Sequence, residues 1–417
     1  MTGKSWIYKV FFLAQFGALG AFLNYFNLYL EQEIGLVGSE IGLLQLISLT
    51  FMVMINPVWG MVADRTGKYK FLLRVSILGA IFSTFMLFHV HTFALVVVMA
   101  ILMECLRAGG NPLAEVITTN FCDKNSYDFS KIRVFGSIGW LVGGVVIGFL
   151  IDGMSLNVFG LDLNFDGMFS LGTAMIGMYL VLRLSAFALT FLMPKDEEKI
   201  IENPDTTLST ELAAETKPGI KALLVNKQFL FLLCFIAISG VVMDTANGYS
   251  GMHLVSTLGA QAGIVGTLMF ASVFPEILFL PFGGMLVRKI GFKNVYYLAL
   301  IAILVRLGIY SFTYSIPLFL VVSVVHVLGV IMHVSGNIAF LRKVVPANQI
   351  ALAFTIMASV LALTRALLGY VFGIIYETSS FMVYRVAFVI VLFALIVLVR
   401  SKTFNGFDPT PDGAVVE

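Results

Sequence analysis

Between residues 111 and 140 the chain gathers side chains that could hold a polar ligand in otherwise apolar surroundings: Asn111, Glu115, Arg133 and Trp140. Two apolar segments meet here across a short polar loop. The first contributes the amide and the carboxylate, the second the guanidinium and the indole. Arg133 and Trp140 lie seven residues apart (140 − 133 = 7), about two helical turns, so their side chains point the same way. A carboxylate accepts from hydroxyl donors, a guanidinium offers a planar fork of donors, and an indole stacks on the apolar face of a pyranose ring. That combination suits a sugar.

Further ionisable residues stand inside apolar stretches. The acids are Glu104, Glu115, Asp244 and Glu276; the bases are Arg107, Arg133, Arg183, Arg306 and Arg365, with His326 and His333 titratable besides. A charge at the centre of a bilayer costs at least about 2.5 kcal/mol, which makes such residues functional candidates. Their near balance implies pairing across a central cavity, because an unpaired buried charge would rather neutralise. His326 and His333 share a helical face with Asn337 one turn further on, and neutral imidazoles can exchange donor and acceptor roles with a hydroxylated ligand. Glu104 and Arg107, three apart, can satisfy each other locally. Arg183 has no evident partner in the sequence, and Asn24 and Asn27 are polar positions in the first apolar run.

The elements that must position these residues follow from composition. With 59% hydrophobic and 12% charged residues in 417 and a mean hydropathy of +0.96, the chain reads as an all-α membrane protein. Runs long enough to span fall at 7–30, 41–63, 71–90, 92–118, 132–151, 167–193, 228–252, 262–287, 294–314, 316–341, 350–376 and 381–400, which makes twelve transmembrane helices. The apolar run behind Lys4 and Lys9 is too long for a signal peptide and reads as a retained first helix. Lys and Arg collect in alternate connections, whereas Glu31, Glu33, Asp152, Asp162, Asp166 and Glu377 occupy the opposite ones. The positive-inside rule then places both termini in the cytoplasm, for a multi-pass protein of the cell (inner) membrane. The polar stretch 195–227 divides an amino-terminal bundle of six helices, 1–194, from a second, 228–400, followed by a cytoplasmic tail, 401–417. Cys105, Cys122 and Cys234 are read as free thiols. A net charge of +2 gives no reason to expect nucleic acid.

A weak internal repeat supports the division. Gly60, Asp64, Arg65, Gly67 and Lys68 form a charged turn after the second helix, and Gly284, Arg288, Lys289, Gly291 and Lys293 form its counterpart after the eighth, offset by 224 residues (284 − 60). The first turn resembles the gating-turn signature of the major facilitator superfamily; the second departs from it, with Arg288 in the place of the acid. Within that superfamily, Asn111 to Glu115 and Phe129 to Trp140 resemble the lactose permease group of oligosaccharide:proton symporters, matching the acid-to-arginine interval (133 − 115 = 18) and the arginine-to-tryptophan interval. The resemblance implies substrate-binding roles for Glu115, Arg133 and Trp140. It also implies Asn24 and Asn27 as ligands, since the first helix lines the sugar cavity in that group.

The second half resembles the group less completely. Asp244 and Arg365 match a structural acid–base pair, with arginine in place of lysine, whereas Asn247 and Ser323 stand where the permease has a second charged pair. Joint loss of both charges is what burial of a pair predicts. Arg306 and His326 match a cation and a histidine on the coupling path, but Gly329 replaces the proton-carrying glutamate. Glu276, which follows Pro275 in a segment closer to nucleoside and phenylpropionate transporters, is the available substitute. A carboxylate desolvated mid-helix could titrate as the cavity alternates.

The reading is a twelve-helix secondary active transporter importing a sugar or oligosaccharide with a proton by alternating access. Its binding set is Glu115, Arg133, Trp140, Asn111, Asn24, His326 and Asn247, and its coupling set Glu276, His326 and Arg306. A nucleoside or aromatic-acid proton symporter is the main alternative. A drug antiporter fits the polar cluster poorly, and a non-transporting sugar receptor would be expected to carry more than the 17 residues (417 − 400) after Arg400. No enzymatic, metal or cofactor constellation is visible. The expected partners are a hydroxylated small molecule, a proton and membrane lipid, with the protein acting as a monomer.

Overall fold

The computed structural model describes residues 4–158, 161–194, 223, 225–345 and 349–400; the stretch 195–222 and the tail 401–417 lie outside the described residues. Among the described residues, twelve helices are long and apolar enough to cross a membrane: α1 Ser5–Ile34, α2 Gly38–Thr66, α3 Tyr69–Phe88, α4 Phe93–Lys124, α5 Ser130–Asp152, α6 Leu171–Leu192, α7 Lys227–Gly248, α8 Ile264–Ile290, α9 Lys293–Tyr310, α10 Ile316–Gly336, α11 Leu352–Thr378 and α12 Ser380–Arg400. Every anticipated span is present. The connection after α5 adds an antiparallel hairpin that the polar pattern did not signal, β1 Gly153–Val158 paired with β2 Leu161–Asp166.

Two compact units make up the chain, and they are not simply the two sequence halves. One contains residues 1–202, 247–270 and 366–380; the other contains 203–246, 271–365 and 381–417. In the first unit α1 runs through the middle, with Phe11, Phe12, Ala18 and Ala21 fully enclosed. It lies against α5 through glycines: a Cβ at Gly143 would fall 2.1 Å from the Gly17 carbonyl oxygen, and one at Gly139 would fall 2.3 Å from that of Leu13. Small residues let the two backbones touch, the usual device for helix association where lipid removes the hydrophobic drive.

At the end of this unit that carries the acidic connections, carboxylates are held by neutral donors. Glu33 accepts from the Gly172 N–H (2.8 Å), Asp152 from the Gly263 N–H (2.6 Å), and Glu377 from the Ser39 N–H (2.7 Å). Glu31 accepts from Ser256 (2.6 Å) and Tyr376 (3.2 Å). These bonds are why 247–270 and 366–380 belong to the unit. The opposite, basic end is tied differently: the Arg74 guanidinium donates to the Thr190 hydroxyl and carbonyl (3.0 Å each) and stacks on Phe191.

The repeated turns share a positive-φ glycine and the hydrogen bond that closes the helix, but not ψ, which is −1° at Gly67 and 151° at Gly291. Gly67 (φ +65°) and Gly291 (φ +79°) both occupy left-handed backbone, and each N–H closes its helix by bonding the carbonyl four residues back, Ala63 at 2.8 Å and Val287 at 3.0 Å. The offset of 224 (291 − 67) is that seen in the sequence. In the first turn Asp64 accepts from Tyr69 at 2.6 Å.

His253, in the connection between α7 and α8, is fully buried and bonded through Nδ1 to Ser380 Oγ at 2.8 Å. Burial lowers its pKa from 6.5 to about 4. An imidazole kept neutral in the fold but protonated when unfolded stabilises the protein fully above pH ~6.5 and loses that contribution as pH falls toward ~4. Melting curves between pH 7.5 and pH 4.5 should therefore show His253→Gln losing less stability on acidification than the parent protein, whatever their difference at neutral pH.

Candidate functional site

In the first unit the polar residues sit around a kink in α4. The helix runs Phe93–Ala108 and resumes at Gly110. Pro112 lacks the N–H that would bond the Ala108 carbonyl, and its ring crowds that carbonyl. Neighbours use the carbonyls just before the kink: the Trp59 indole donates to Cys105 O (2.9 Å) and Ser76 to Leu106 O (2.7 Å). Gly109 admits Trp59, since a Cβ there would lie 2.5 Å from the indole ring.

The piece beyond the kink carries Asn111 and, one turn on, Glu115. Arg133 stands in the first turn of α5, with Nε 3.5 Å from Glu115 Oε1; the side chains are 37% and 46% exposed. At that distance and exposure the two charges compensate electrostatically while most of their hydrogen-bonding capacity stays free for a ligand. The guanidinium lies 4.4 Å over the Phe16 ring, in space left by Gly136, where a Cβ would fall 2.8 Å from Arg133 Nη1. Trp140 is partly exposed two turns further along, its backbone carbonyl against Gly20.

Asn24 donates to the Gly20 carbonyl of its own helix at 2.6 Å, leaving its oxygen free for other use. Asn27 is committed on both sides, donating to Gly248 O (2.9 Å) and accepting from Gln45 (2.8 Å). Glu104 and Arg107 form a short ion pair. Arg183, which lacked a partner in the sequence, donates through Nη1 to Gln15 Oε1 at 2.6 Å, and Gln15 Nε2 donates to Asn111 Oδ1 at 3.2 Å. Gln15 has no charge to mark it in the sequence; its signal there is only that of an amide flanked on both sides by apolar residues of α1.

The second unit centres on Arg306, 2% exposed. Its Nη1 lies 3.0 Å from His326 Nδ1, and His326 Nε2 lies 3.2 Å from Glu276 Oε1. A guanidinium can only donate, so Nδ1 must accept and the neutral ring carries its proton on Nε2, facing the carboxylate. The other arm runs from Arg306 Nε to Tyr310 (3.0 Å), from Tyr310 to Ser323 (2.6 Å) and from Ser323 to the Phe319 carbonyl (2.9 Å). Helix breaks assist: α8 passes through a 3-10 turn at Leu280–Phe282, and α10 restarts at His326. His333 belongs to a separate cluster, 3.3 Å from Asn337, its ring filling the space that Gly240 leaves open. Glu276 therefore differs from the expectation of a carboxylate among apolar neighbours, because His326 already bonds it.

Asp244 and Arg365 pair at 2.6 Å, but their side chains are 39% and 51% exposed. The expectation of a buried pair is corrected. Neither side chain is enclosed by protein, so the pair is not locked in a packed interior. Asn247, three residues on from Asp244, is partly exposed.

Twelve spanning helices with ionic and hydrogen-bonding groups concentrated within the spans define a transporter of the major facilitator fold. The chain belongs to the MFS_1 like family, whose model matches residues 5–386. It is 25% identical over 356 residues to the "uncharacterized transporter YwbF" of Bacillus subtilis, covering 84% of this chain and 81% of that protein. It is 20% identical over 375 residues to the lactose permease of Klebsiella oxytoca, covering 87% and 86%. The crystal structure of the nucleoside transporter NupG superposes with a TM-score of 0.76 at 17% identity, covering 96% of this chain and all of that one.

Because the Asp244–Arg365 pair is half-exposed, Asp244→Asn should lower thermal stability only modestly, and adding Arg365→Gln should restore part of the loss. A coupling no larger than about 1 kcal/mol is expected. Melting of the two single variants and the double variant measures it.

Proposed function

We propose that this protein imports a sugar or oligosaccharide together with a proton, across the cell membrane and with both termini cytoplasmic. The observation that carries the reading is the Glu115–Arg133 pair: close enough to compensate charge, too loose to exhaust either group, and half-exposed on a face shared with Asn111. A ring hydroxyl donates to the carboxylate while its lone pairs accept from the guanidinium, and Trp140 supplies a stacking face. Likeness to a lactose permease supports the same substrate class. The nucleoside alternative draws on the Pro275–Glu276 segment and is separated by the same assay.

The deciding experiment is binding and counterflow of labelled sugars and nucleosides in proteoliposomes. Glu115→Gln and Arg133→Lys should each reduce sugar binding by roughly tenfold or more, since each removes a charge-assisted or bidentate contact. Normal sugar binding by either variant, or saturable binding of nucleosides alone, would overturn the reading.

For coupling, Glu276 is the proton carrier in this proposal and His326 the donor that holds its carboxylate. A proton reaching Glu276 neutralises the carboxylate that His326 Nε2–H bonds, while Arg306 holds His326 Nδ1 as the acceptor. Glu276→Gln should abolish pH-driven uphill accumulation while sparing exchange at equal concentrations, with both measured in the same vesicles. Uphill accumulation that survives the substitution would place the proton elsewhere.

A further inference from the structure

The first unit contains a buried cation that the proposed chemistry does not use. Arg183 and Gln15 are each 1% exposed. The nearest acid, Glu104, is already paired with Arg107. Arg183 packs 5.1 Å from the Tyr179 ring and donates to Gln15, and its Nε and Nη2 have no hydrogen-bond partner among the described residues. Too enclosed to meet a ligand, it acts through what it orients.

The orientation follows from donor and acceptor inventory. A guanidinium has donors only and keeps its charge at any accessible pH, so the Gln15 amide must turn its oxygen toward Arg183. Its NH2 then has to point the other way, toward Asn111, and Asn111 must answer with its own oxygen. The 2.6 Å and 3.2 Å contacts run in that sense. Gly110 packs against the same chain, where a Cβ would fall 3.1 Å from Gln15 Nε2 and 3.3 Å from Ser76 Oγ, which leaves the glutamine little room to swing. Asn111 is partly exposed, and its NH2 has no partner among the described residues. Polarity set at a buried arginine is thus handed through one buried amide to a group beside Glu115.

We propose that Arg183 and Gln15 are positioning residues that lock the Asn111 amide so that its NH2, and not its oxygen, is offered to substrate. The substrate atom met there is consequently an acceptor: a hydroxyl, ring or glycosidic oxygen. This deepens the sugar reading and rests on it for the identity of the ligand, but the locked polarity can be tested without any ligand.

Gln15→Glu is the decisive substitution. A carboxylate still accepts from Arg183, and now compensates its charge, but can only accept from Asn111, which must flip and present its oxygen. The ligand-free arm is a melting-temperature cycle on the full chain in detergent. Gln15→Glu alone should be as stable as the parent or more so, and Asn111→Asp alone should be tolerated because Asp still accepts from the Gln15 NH2. The double variant, with acceptors facing acceptors, should lose far more than the sum of the two. Additive effects would overturn the proposal.

The ligand arm compares methyl galactoside and methyl glucoside with their monodeoxyfluoro and monodeoxy derivatives. Fluorine accepts but cannot donate, so at one ring position the parent protein should tolerate fluorine better than hydrogen, and Gln15→Glu should reverse that preference by roughly tenfold. A purely structural role for Gln15 would weaken all probes alike, which would also overturn the proposal. If the parent protein binds none of these sugars, the sugar reading fails while tolerance of Asn111→Asp in the melting cycle still decides the polarity of the chain.

Discussion

A guanidinium cannot shed its proton, and that fact organises both units of this transporter. Other ionisable groups buried in a low-dielectric interior can escape the cost by neutralising; arginine must be bonded instead. Arg183 and Arg306 are 1% and 2% exposed, and each meets the requirement mainly through uncharged, two-faced side chains: Gln15 for the first, His326 and Tyr310 for the second. Each of these partners can accept on one side and donate on the other. The buried charge therefore fixes the direction of every hydrogen bond downstream of it, ending at Asn111 in one unit and at Glu276 in the other. The two ends differ in kind. Glu276 can take up a proton, whereas an amide cannot.

Placing such chains inside spanning helices requires departures from regular helix. The α4 kink one turn before Pro112 brings Trp59 and Ser76 onto carbonyls that the chain reversal of a loop would otherwise expose, and nearby Gly110 makes room for Gln15. In the second unit the break before His326 and the 3-10 turn around Pro281 serve the same end. Irregular backbone within a membrane is tolerated where protein covers it, and here Trp59 and Ser76 bond the carbonyls beside the α4 kink.

The two ends of the first unit are held by different chemistry. At one end carboxylates accept from backbone N–H groups and hydroxyls, and at the other an arginine donates to a hydroxyl and a carbonyl. The same segregation of acid and base sets the topology signal in the sequence. The side chains behind that signal also fasten the helix ends.

Much of this was legible in the residues. Continuous apolar runs of about 20 residues admit no alternative to spanning helices, because in lipid the backbone must satisfy itself, and a glycine-punctuated turn recurs at an offset of 224 (284 − 60). Glu115, Arg133 and Asp244, Arg365 could be picked out because charge in an apolar run is costly enough to be informative. What the residues could not reveal was exposure and direction. The Asp244–Arg365 pair reads as buried in the sequence and is half-exposed in the fold, since hydropathy reports neighbours along the chain and not across it. Gln15, the partner of Arg183, lies 168 residues away (183 − 15), and neither spacing nor composition links them. Donor and acceptor roles at Asn111 and His326 depend on which atoms face which across separate helices, and only tertiary packing decides that.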